Sequence, residues 1–362
     1  MLRSSLYAAL ALATLTGCAE AADELDKLEL PPGFSIAVYA NVEIARSMTA
    51  TPQGEIYVGT RGEAVHRVED RDRDGRADRV TRVLEDQHIS NGVVYHDGHL
   101  YVGEQDKITR YPLSLAGIDR RGAQVVYDQL PDKSHHGWRY LAVGPDEMLY
   151  VTVGAACNIC VPPEPEGTIM RMGLDGKGAE IFAHGVRNSV GMAFQPGSGR
   201  LYFTDNGGDN LGDDVPREEL NRADRPGLHF GYPGFAGTDT RSPGMPAPPA
   251  DAVQPVVSFG AHQAPLGVHF YQGDMFPAEY KGDVFVALHG SWNRSVPAGY
   301  RVMRVKFDDA GNPVAAVPFA TGWLEADGDA WGRPVDIEEL PDGSLLISDD
   351  RGGVISRVTY DG

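Results

Sequence analysis

Basic residues are scarce in this sequence. Its 362 residues include 32 lysines and arginines against 51 aspartates and glutamates, so the formal charge at pH 7 is −19. A protein that binds nucleic acid needs a basic face to contact phosphates. The composition therefore argues against a nucleic-acid partner and favours small neutral or cationic partners.

Cysteine is equally rare, and the sequence contains only Cys18, Cys157 and Cys160. The last two form the motif CNIC, which lacks the following histidine of a haem attachment site because Val161 stands there. A four-cysteine zinc site would need a second pair. In an oxidising compartment, a local disulfide between Cys157 and Cys160 is the interpretation that we favour.

The apolar run at residues 6–15 is too short to span a bilayer as a helix. It follows the basic Arg3 and ends in the letters LTGC, which resemble the cleavage box of a bacterial lipoprotein. We therefore expect residues 1–18 to be a lipoprotein signal peptide with lipidation at Cys18, and residues 19–30 to be a short linker. The mature protein would be periplasmic and held to the membrane by its lipid anchor. An ordinary cleaved signal peptide with a chance cysteine is the alternative.

No long stretch shows a helical period, whereas turn residues are abundant, with 44 glycines and 25 prolines. What recurs is a turn, a short strand rich in aromatic and β-branched residues, and then a second strand. Six segments show this pattern, roughly 45 to 80 residues apart, which is within or above the usual spacing of propeller blades. Their strand centres are Tyr57, Tyr101, Tyr150, Tyr202, Phe285 and Leu346.

A single unit of this kind exposes strand edges and half a core, and radial packing of six units buries both. The sequence therefore predicts an all-β fold, a six-bladed β-propeller over residues 31–362. A strand predicted at residues 34–40 precedes the first repeat and should close the ring by pairing with the last blade. The interval 221–264, rich in Pro and Gly, is predicted to be a large loop on one face. A pair of β-sandwiches is the alternative, but it would not produce a sixfold recurrence.

Polar clusters lie beside the predicted strands. His135 and His136 stand just before the inner strand of the third repeat, and Arg187 and Asn188 hold the same place in the fourth. The motifs TDNGGD and HGSWNR follow strands of the fourth and fifth repeats, and GRPVD precedes the sixth. A single loop residue of this type is usually solvated or structural. The recurrence at equivalent points predicts one site at one end of the central channel.

The motifs HHGWRYLAVGPD, GVRNSVG, TDNGGD, APLGVHFY, HGSWNRS and GRPVDIEELPDG resemble those of the soluble quinoprotein sugar dehydrogenases in order and spacing. The likeness is greatest to the sorbosone dehydrogenase-like branch and runs from about residue 30 to the C-terminus. The resemblance implies a six-bladed propeller that binds pyrroloquinoline quinone (PQQ) and Ca²⁺. It also implies a small sugar or aldehyde substrate and an external electron acceptor.

Three residues match the catalytic pattern of that family. His136 matches the general base, a role that suits histidine because a substrate hydroxyl must lose its proton as hydride leaves. Arg187 and Asn188 match the pair beside the reactive carbonyl of the quinone, where they would stabilise growing negative charge. His135 falls where the soluble glucose enzymes carry an acid, so we expect it to orient or contact the cofactor or substrate.

The three carboxylates of PQQ need cations or other donors. Arg333 in GRPVD matches one arginine of the family, whereas Val335 replaces the usual arginine neighbour. We expect His289 or Arg294 to take the place of a lysine in the fifth blade. A glutamine of the glucose enzymes has no match, since residues 90–92 read SNG, and this departure puts glucose in doubt as the substrate.

The resemblance also implies a calcium site. Asn206, Gly207 and Gly208 match the segment that supplies calcium through main-chain oxygens, which are ligands that this hard cation prefers. The glucose enzymes carry glutamine and proline at the first and last of these positions, and backbone ligation survives that change because it does not use the side chains.

A second calcium candidate is the acidic loop around Asp70, Asp72 and Asp74. Its alternating aspartates and Gly75 imitate an EF-hand loop, although Thr81 stands where the twelfth-position glutamate is expected. If a metal binds there, it would tie down a blade edge. A solvated acidic turn is the alternative.

The sequence favours a periplasmic quinoprotein dehydrogenase that oxidises an aldose or a sorbosone-like aldehyde. Two other functions stay open. A calcium-dependent lactonase on the same kind of propeller would hold its metal through side-chain carboxylates and an asparagine. A non-catalytic propeller would bind a protein or glycan.

Overall fold

The computed structural model describes residues 24–362, so Cys18 and the predicted signal peptide lie outside the described residues. Within the described range the chain forms 28 short strands and two 3₁₀ helices. No helix of that range is both long and apolar enough to cross a bilayer.

The N-terminal half of the structure contains β1 and three blades. β1 spans Phe34–Asn41. The first blade comprises β2 (Ala45–Ala50), β3 (Ile56–Thr60), β4 (Val65–Glu69) and β5 (Arg79–Leu84). The second comprises β6 (Gly92–His96), β7 (His99–Gly103), β8 (Ile108–Ser114), the short β9 (Gly117–Ile118), a 3₁₀ helix at Arg120–Gly122 and β10 (Gln124–Tyr127). The third comprises β11 (Leu141–Val143), β12 (Met148–Val153), β13 (Thr168–Gly173) and β14 (Glu180–His184).

Three more blades complete the chain. The fourth contains β15 (Met192–Phe194), β16 (Leu201–Asp205) and β17 (Glu218–Ala223), and the chain continues through β18 (Leu228–His229), β19 (Phe235–Gly237), β20 (Thr240–Arg241) and β21 (Val257–Phe259). The fifth comprises β22 (Pro265–Phe270), a 3₁₀ helix at Ala278–Tyr280, β23 (Val284–Leu288), β24 (Arg301–Phe307) and β25 (Pro313–Ala320). The sixth comprises β26 (Pro334–Glu339), β27 (Leu345–Asp349) and β28 (Val354–Tyr360).

Each blade is an antiparallel sheet whose first strand faces the central channel. The first strands β2, β6, β11, β15, β22 and β26 contact one another in sequence, and β26 contacts β2, so the ring is closed. Glycine makes the close approach possible at some contacts. A Cβ on Gly191 would lie only 2.0 Å from the carbonyl oxygen of Leu266 in the next blade. The predicted six-bladed β-propeller is confirmed.

β1 completes the last blade. It pairs antiparallel with β28, from Phe34 opposite Tyr360 to Asn41 opposite Val354. The sixth sheet therefore has the order β1–β28–β27–β26 and joins the two ends of the described chain. The predicted closing strand at residues 34–40 is confirmed.

The core of this fold is divided among the gaps between blades. Six clusters of buried apolar side chains in residues 24–362 each join two neighbouring blades. All six predicted strand centres lie in the second strand of their blade and are at most 2% exposed. The second strand of each blade lies between two of these apolar layers, so the same buried pattern recurs in every repeat. This recurrence made the repeats recognisable in the sequence.

The interval 221–264 differs from the prediction of a large loop. It contains a parallel strand that extends the third blade, the β19–β20 hairpin and β21. β21 pairs with β17 as the fourth strand of the fourth blade. The prediction of a large loop is therefore wrong in part. An unpaired edge at β17 offers hydrogen bonds to any nearby extended segment. Strands as short as these leave no periodic signal in the sequence.

In each antiparallel blade, the start of the first strand and the end of the second strand lie on the same face. The segments before β2, β6, β11, β15, β22 and β26 therefore meet those after β3, β7, β12, β16, β23 and β27. All of them surround one mouth of the channel.

The ring closure can be tested at Phe34, whose ring packs 4.8 Å from Phe276, 5.1 Å from Phe319 and 4.9 Å from Tyr360. We expect Phe34→Ala to lower the free energy of unfolding by about 2–3 kcal/mol, because it removes apolar contacts within the closing sheet and between that sheet and the fifth blade. Urea unfolding measures this loss. The exposed Ser35 on the same strand gives the control Ser35→Ala, and equal effects of the two changes would contradict the assignment.

Candidate active site at the channel mouth

A cavity of about 320 Å³ lies where the loops of the channel mouth converge. Residues of five blades line it, most of them at or before the start of a first strand or after the end of a second strand. Seven of the residues proposed from the sequence line it: His136, Arg187, Asn188, Asn206, Gly207, His289 and Arg333.

Three other proposed residues lie near the cavity but outside its lining. His135 is exposed, with its ring 4.1 Å from the ring of His136. The backbone N–H of Gly208 donates to the carbonyl of Ala236 at 2.6 Å. Arg294 donates to the carbonyls of Asp213, Ala261 and Val296, and so ties two rim loops together.

The His136 ring is held in one tautomer. Its Nδ1 lies 2.6 Å from the carbonyl oxygen of Ala155, and since that oxygen can only accept, Nδ1 carries the proton. Nε2 is then a bare acceptor. Burial, together with the charge of Arg187, lowers the pKa of His136 to about 2, so the ring is neutral at ordinary pH. The residue itself has a left-handed backbone, with φ of 54°, which is uncommon for a residue other than glycine.

Arg187 is fixed by four hydrogen bonds from its guanidinium. Nε donates to the carbonyl of Asn158 at 2.8 Å, and Nη2 donates to Asn158 Oδ1 at 2.8 Å and to Asp209 Oδ2 at 2.9 Å. Nη1 donates to the carbonyl of Asn206 at 3.0 Å. Because the guanidinium has five N–H donors, one remains for a ligand. The residue is only 3% exposed.

The backbone around Arg187 and Asn188 is held by a buried carboxylate. Asp205 Oδ2 accepts from the Arg187 N–H at 2.8 Å, and Oδ1 accepts from the Asn188 N–H at 2.6 Å. The side-chain amide of Asn206 donates to the carbonyls of Asn188 and Pro265. The fourth blade thus presents its two catalytic candidates on a rigid backbone.

Two arginines of the first blade were not predicted from the sequence. Arg46, at the start of β2, donates through Nε to Asn91 Oδ1 at 2.9 Å and pairs through Nη1 with Asp350 at 3.0 Å. Arg61, just after β3, lies 3.4 Å from the same carboxylate. Both guanidiniums lie over the Trp138 ring, 5.0 and 5.5 Å from its centroid. The sequence signal that could have identified these two arginines is their position at the strand ends of the first repeat.

The carboxylate of Asp350 is shared by Arg46, Arg61 and His289 on this side of the cavity. His289 Nε2 lies 2.8 Å from its Oδ1. Burial raises the pKa of Asp350, but the hydrogen bond from His289 and the charges of Arg46 and Arg61 outweigh burial and hold it well below its usual range. Burial lowers the pKa of His289 to about 4, against the opposite effect of Asp350. His289 is therefore a neutral donor to an ionised carboxylate.

Arg333 has no carboxylate partner among residues 24–362. Its guanidinium donates to the carbonyls of His289 at 2.9 Å and Gly290. It also lies over the ring of Tyr300, 5.5 Å from the centroid. These neutral contacts orient its charge without cancelling it.

The balance of charge in the cavity is positive, although the whole chain is strongly negative. Four arginines line it, against the carboxylates of Asp209 and Glu218 and the adjoining Asp350. Burial raises the pKa of Glu218 to about 8, so Glu218 is mostly protonated at pH 7. Four guanidiniums thus outnumber the carboxylates of Asp209 and Asp350. Such a donor set fits a planar ligand with several carboxylates.

Unpaired oxygen atoms and buried acids show where a cation would fit. Asn188 Oδ1 and Asn293 Oδ1 are buried and have no hydrogen-bond partner in the described part of the chain. Adjoining the cavity, a void of about 10 Å³, enough for one water or ion, is bordered by Asp205 and Glu219 and also by Arg187. Burial raises the pKa of both carboxyl groups. A divalent cation would offset that burial, because calcium is bound by carboxylate and amide oxygens.

The acidic loop proposed as a second calcium site lies away from the cavity, beside the first blade. Carboxylate oxygens of Asp70, Asp72 and Asp78 lie within 4.8 Å of one another, so Asp78 takes the place given to Asp74. Asp74 Oδ1 instead accepts from the N–H of Arg76 at 2.8 Å. Calcium binding at this loop stays a prediction.

Solved structures with the same fold include several propellers of known cofactor content. The holo form of the pyranose dehydrogenase PQQ domain of Coprinopsis cinerea superposes with a TM-score of 0.80 at 21% identity, over 92% of this chain and 97% of that one. The PQQ-bound aldose sugar dehydrogenase of Streptomyces coelicolor superposes with a TM-score of 0.64 at 19% identity, over 91% and 99%. At these identities the likeness establishes the fold.

Sequence relatives give a more specific result. An uncharacterized protein of Borreliella burgdorferi is 34% identical over 359 residues, which cover 94% of this chain and 93% of that protein. The PQQ-dependent pyranose dehydrogenase of Coprinopsis cinerea is 23% identical over 94% of this chain and 56% of its own length. The family profile described as glucose/sorbosone dehydrogenase matches residues 83–357. Five of the six blades fall largely or wholly inside that match, and the chain belongs to the glucose/sorbosone dehydrogenase family.

Proposed function

We propose that the protein is a PQQ-dependent dehydrogenase that oxidises an aldose or a related aldehyde. One observation carries the proposal: a neutral imidazole, locked with its bare nitrogen available, stands at a cavity with excess positive charge. The relatives named above as PQQ-dependent enzymes support the choice of cofactor.

The residues that would hold the cofactor are the cations of the cavity. Arg46, Arg61 and Arg333 would bind its carboxylates, and the indole of Trp138 offers a flat apolar surface beside them. The two first-blade arginines would make up for the arginine that Val335 replaces. When bound, the quinone supplies an electrophilic carbonyl that accepts hydride.

His136 would take the proton of the substrate hydroxyl at Nε2. The Ala155 carbonyl stabilises the protonated ring because Nδ1 keeps its hydrogen bond in both states. A base with a pKa of about 2 is weak. An anionic ligand in the cavity would raise that pKa, because it offsets the positive charge of Arg187 that helps to keep it low.

Arg187 and Asn188 would stabilise negative charge on the reacting oxygen. The guanidinium is already oriented by Asn158, Asn206 and Asp209, so little reorganisation is needed when charge develops. A calcium ion held by oxygens of residues 205–219 would add to this field.

The arginines separate this function from its alternatives. A lactonase would use the carboxylates and asparagines of the cavity to hold a metal and would have no use for four arginines, whereas a cofactor with three carboxylates needs such cations. A binding propeller would need neither the buried cations nor the fixed tautomer. Lactone hydrolysis with calcium alone, and no PQQ binding, would favour the lactonase.

The catalytic assignment is tested with His136→Ala. We expect turnover of aldoses and aldehydes, measured as dye reduction with PQQ and Ca²⁺ added, to fall by about 10²- to 10⁴-fold, because the proton acceptor is lost. PQQ affinity, measured by quenching of tryptophan fluorescence, should stay within about threefold. His99, on the opposite face of the second blade, gives the control His99→Gln. Full activity of His136→Ala, or loss of PQQ binding, would contradict the role.

The calcium proposal predicts a pH dependence of stability. Burial raises the pKa of Glu219, which borders the void, to about 8 from an ordinary 4.5, so the unfolded chain releases this proton more readily than the folded one. The metal-free protein should therefore lose stability as the pH rises between these values. Calcium should raise the Tm by several degrees at about pH 8 and by less at about pH 5, as measured by calorimetry.

Glu219→Gln provides the matched control for calcium, since it removes one carboxylate from the void and keeps the shape. We expect this variant to lose most of the calcium-dependent gain at about pH 8. A gain that is equal at both pH values, or unchanged in the variant, would rule out the void as the calcium site.

We also propose that the mature chain is a periplasmic lipoprotein anchored through Cys18. Cys18→Ser should move the protein from the membrane fraction to the soluble periplasmic fraction, because the acyl chains are lost. Mass spectrometry of the wild-type N-terminal peptide would show those chains, and an unmodified cysteine would refute the anchor.

A further inference from the structure

The guanidinium of Arg187 depends on a four-residue loop at the rim of the cavity. Asn158 supplies two of its four acceptors, the main-chain oxygen and Oδ1, each at 2.8 Å. Asn158 Oδ1 also accepts from the N–H of Asp209 at 2.8 Å, and its Nδ2 donates to the Asp209 carbonyl at 2.9 Å. One side chain thus fixes both the cation and its carboxylate partner.

The same loop carries the disulfide of the described chain. Cys157 and Cys160 are bonded, with their Cα atoms 6.2 Å apart, and Asn158 lies between them. The hydroxyl of Tyr232 adds a second restraint, since it accepts from the Cys160 N–H at 3.1 Å and lies 3.4 Å from the Asn158 carbonyl. The loop is therefore closed covalently and also held against the 228–237 segment.

We propose that Asn158 is a positioning residue for Arg187, and that the Cys157–Cys160 disulfide holds Asn158 in place. The effect on cofactor binding rests on the proposed function, whereas the effect on Arg187 does not. Under this proposal, the predicted disulfide is part of the active-site architecture.

The physical reason is the burial of Arg187. A guanidinium that is only 3% exposed must have its N–H groups paired, because an unsatisfied buried cation is costly. Without the Asn158 side chain, Nη2 would lose one of its two acceptors and the loop would lose its bonds to Asp209. The main-chain oxygen that pairs with Nε would then be less firmly placed, and the Arg187 side chain would move towards other oxygens. Its distance from a ligand and from His136 would then change.

The disulfide matters because four residues without regular structure have many alternative conformations. A covalent link across such a loop removes most of those conformations in the folded protein as well as in the unfolded chain. Reduction would let Asn158 leave Arg187 while the blades stay intact, since residues 157–160 belong to no strand. The cofactor site would then be weakened in a reducing environment.

The first experiment measures PQQ affinity in Asn158→Ala, by quenching of the fluorescence of Trp138 and Trp292 in the calcium-loaded protein. We expect a loss of about tenfold, comparable to one well-placed hydrogen-bond contact. The control is Asn312→Ala, on the opposite face, which also removes an amide acceptor from an arginine, here Arg222 at 3.2 Å. Affinity of Asn158→Ala within twofold of the wild type would overturn the proposal.

A double-mutant cycle separates positioning from a direct contact. If Asn158 acts through Arg187, then Asn158→Ala combined with Arg187→Met should bind PQQ no more weakly than Arg187→Met alone. Losses that multiply would show that Asn158 acts independently, and would refute the positioning role.

The disulfide is tested by reduction with a phosphine and by the pair of changes Cys157→Ser and Cys160→Ser. Both should weaken PQQ binding several-fold, and the reductant should have no further effect on the serine variant. Because reduction acts on protein that is already folded, this arm remains informative if Asn158→Ala fails to fold. Unchanged affinity after complete reduction would remove the disulfide from the proposal.

A ligand-free measurement keeps the inference separate from the proposed function. The Nε–H of Arg187 should exchange slowly with solvent in nuclear magnetic resonance spectra, since it is buried and bonded to the Asn158 carbonyl. Asn158→Ala keeps this carbonyl but removes the side-chain bonds that tie the loop to Asp209. We therefore expect exchange at least tenfold faster in Asn158→Ala and in the reduced protein, but not in Asn312→Ala. If the wild type binds no PQQ, the proposed function fails while this result still decides the inference. Equal exchange rates would overturn it.

Discussion

Closure of the ring by β1 and β28 is the constraint on which the rest of this structure depends. The hydrophobic core consists of layers between blades, so each layer exists only if its two blades stay side by side. An open ring would leave two apolar faces and two strand edges in water. The seven register pairs between Phe34 and Asn41 remove that opening, and they fix the six first strands around one channel.

The closed ring turns a chain of net charge −19 into a protein with a cation-rich cavity. Arg46, Arg187 and Arg333 come from different blades, and each is held by carbonyl or carboxylate oxygens before any ligand arrives. Their mutual repulsion is tolerated because rigid strands anchor them and because Asp350 and Asp209 offset part of the charge. A preorganised site of this kind is suited to an anionic ligand.

The sequence predicted the propeller, its closing strand and the residues His136, Arg187, Asn188 and Arg333 at the cavity, because these lie in repeated motifs at strand ends. It did not reveal Arg46 or Arg61, whose neighbours Trp138 and Asp350 are distant along the chain. It gave Arg294 a role at the ligand, whereas the structure places that guanidinium on carbonyls of the rim. Spacing locates a residue at the mouth, but it does not say which way its side chain points.

The sequence by itself therefore determined the architecture, since periodic burial and turn residues act locally and recur in every blade. Only the tertiary structure decided the chemistry of the cavity. The neutral tautomer of His136 requires the Ala155 carbonyl, and the orientation of Arg187 requires Asn158 and Asp209. Hydrogen bonds and desolvation depend on distances between residues that are far apart in the chain, and those distances exist only after the ring has closed.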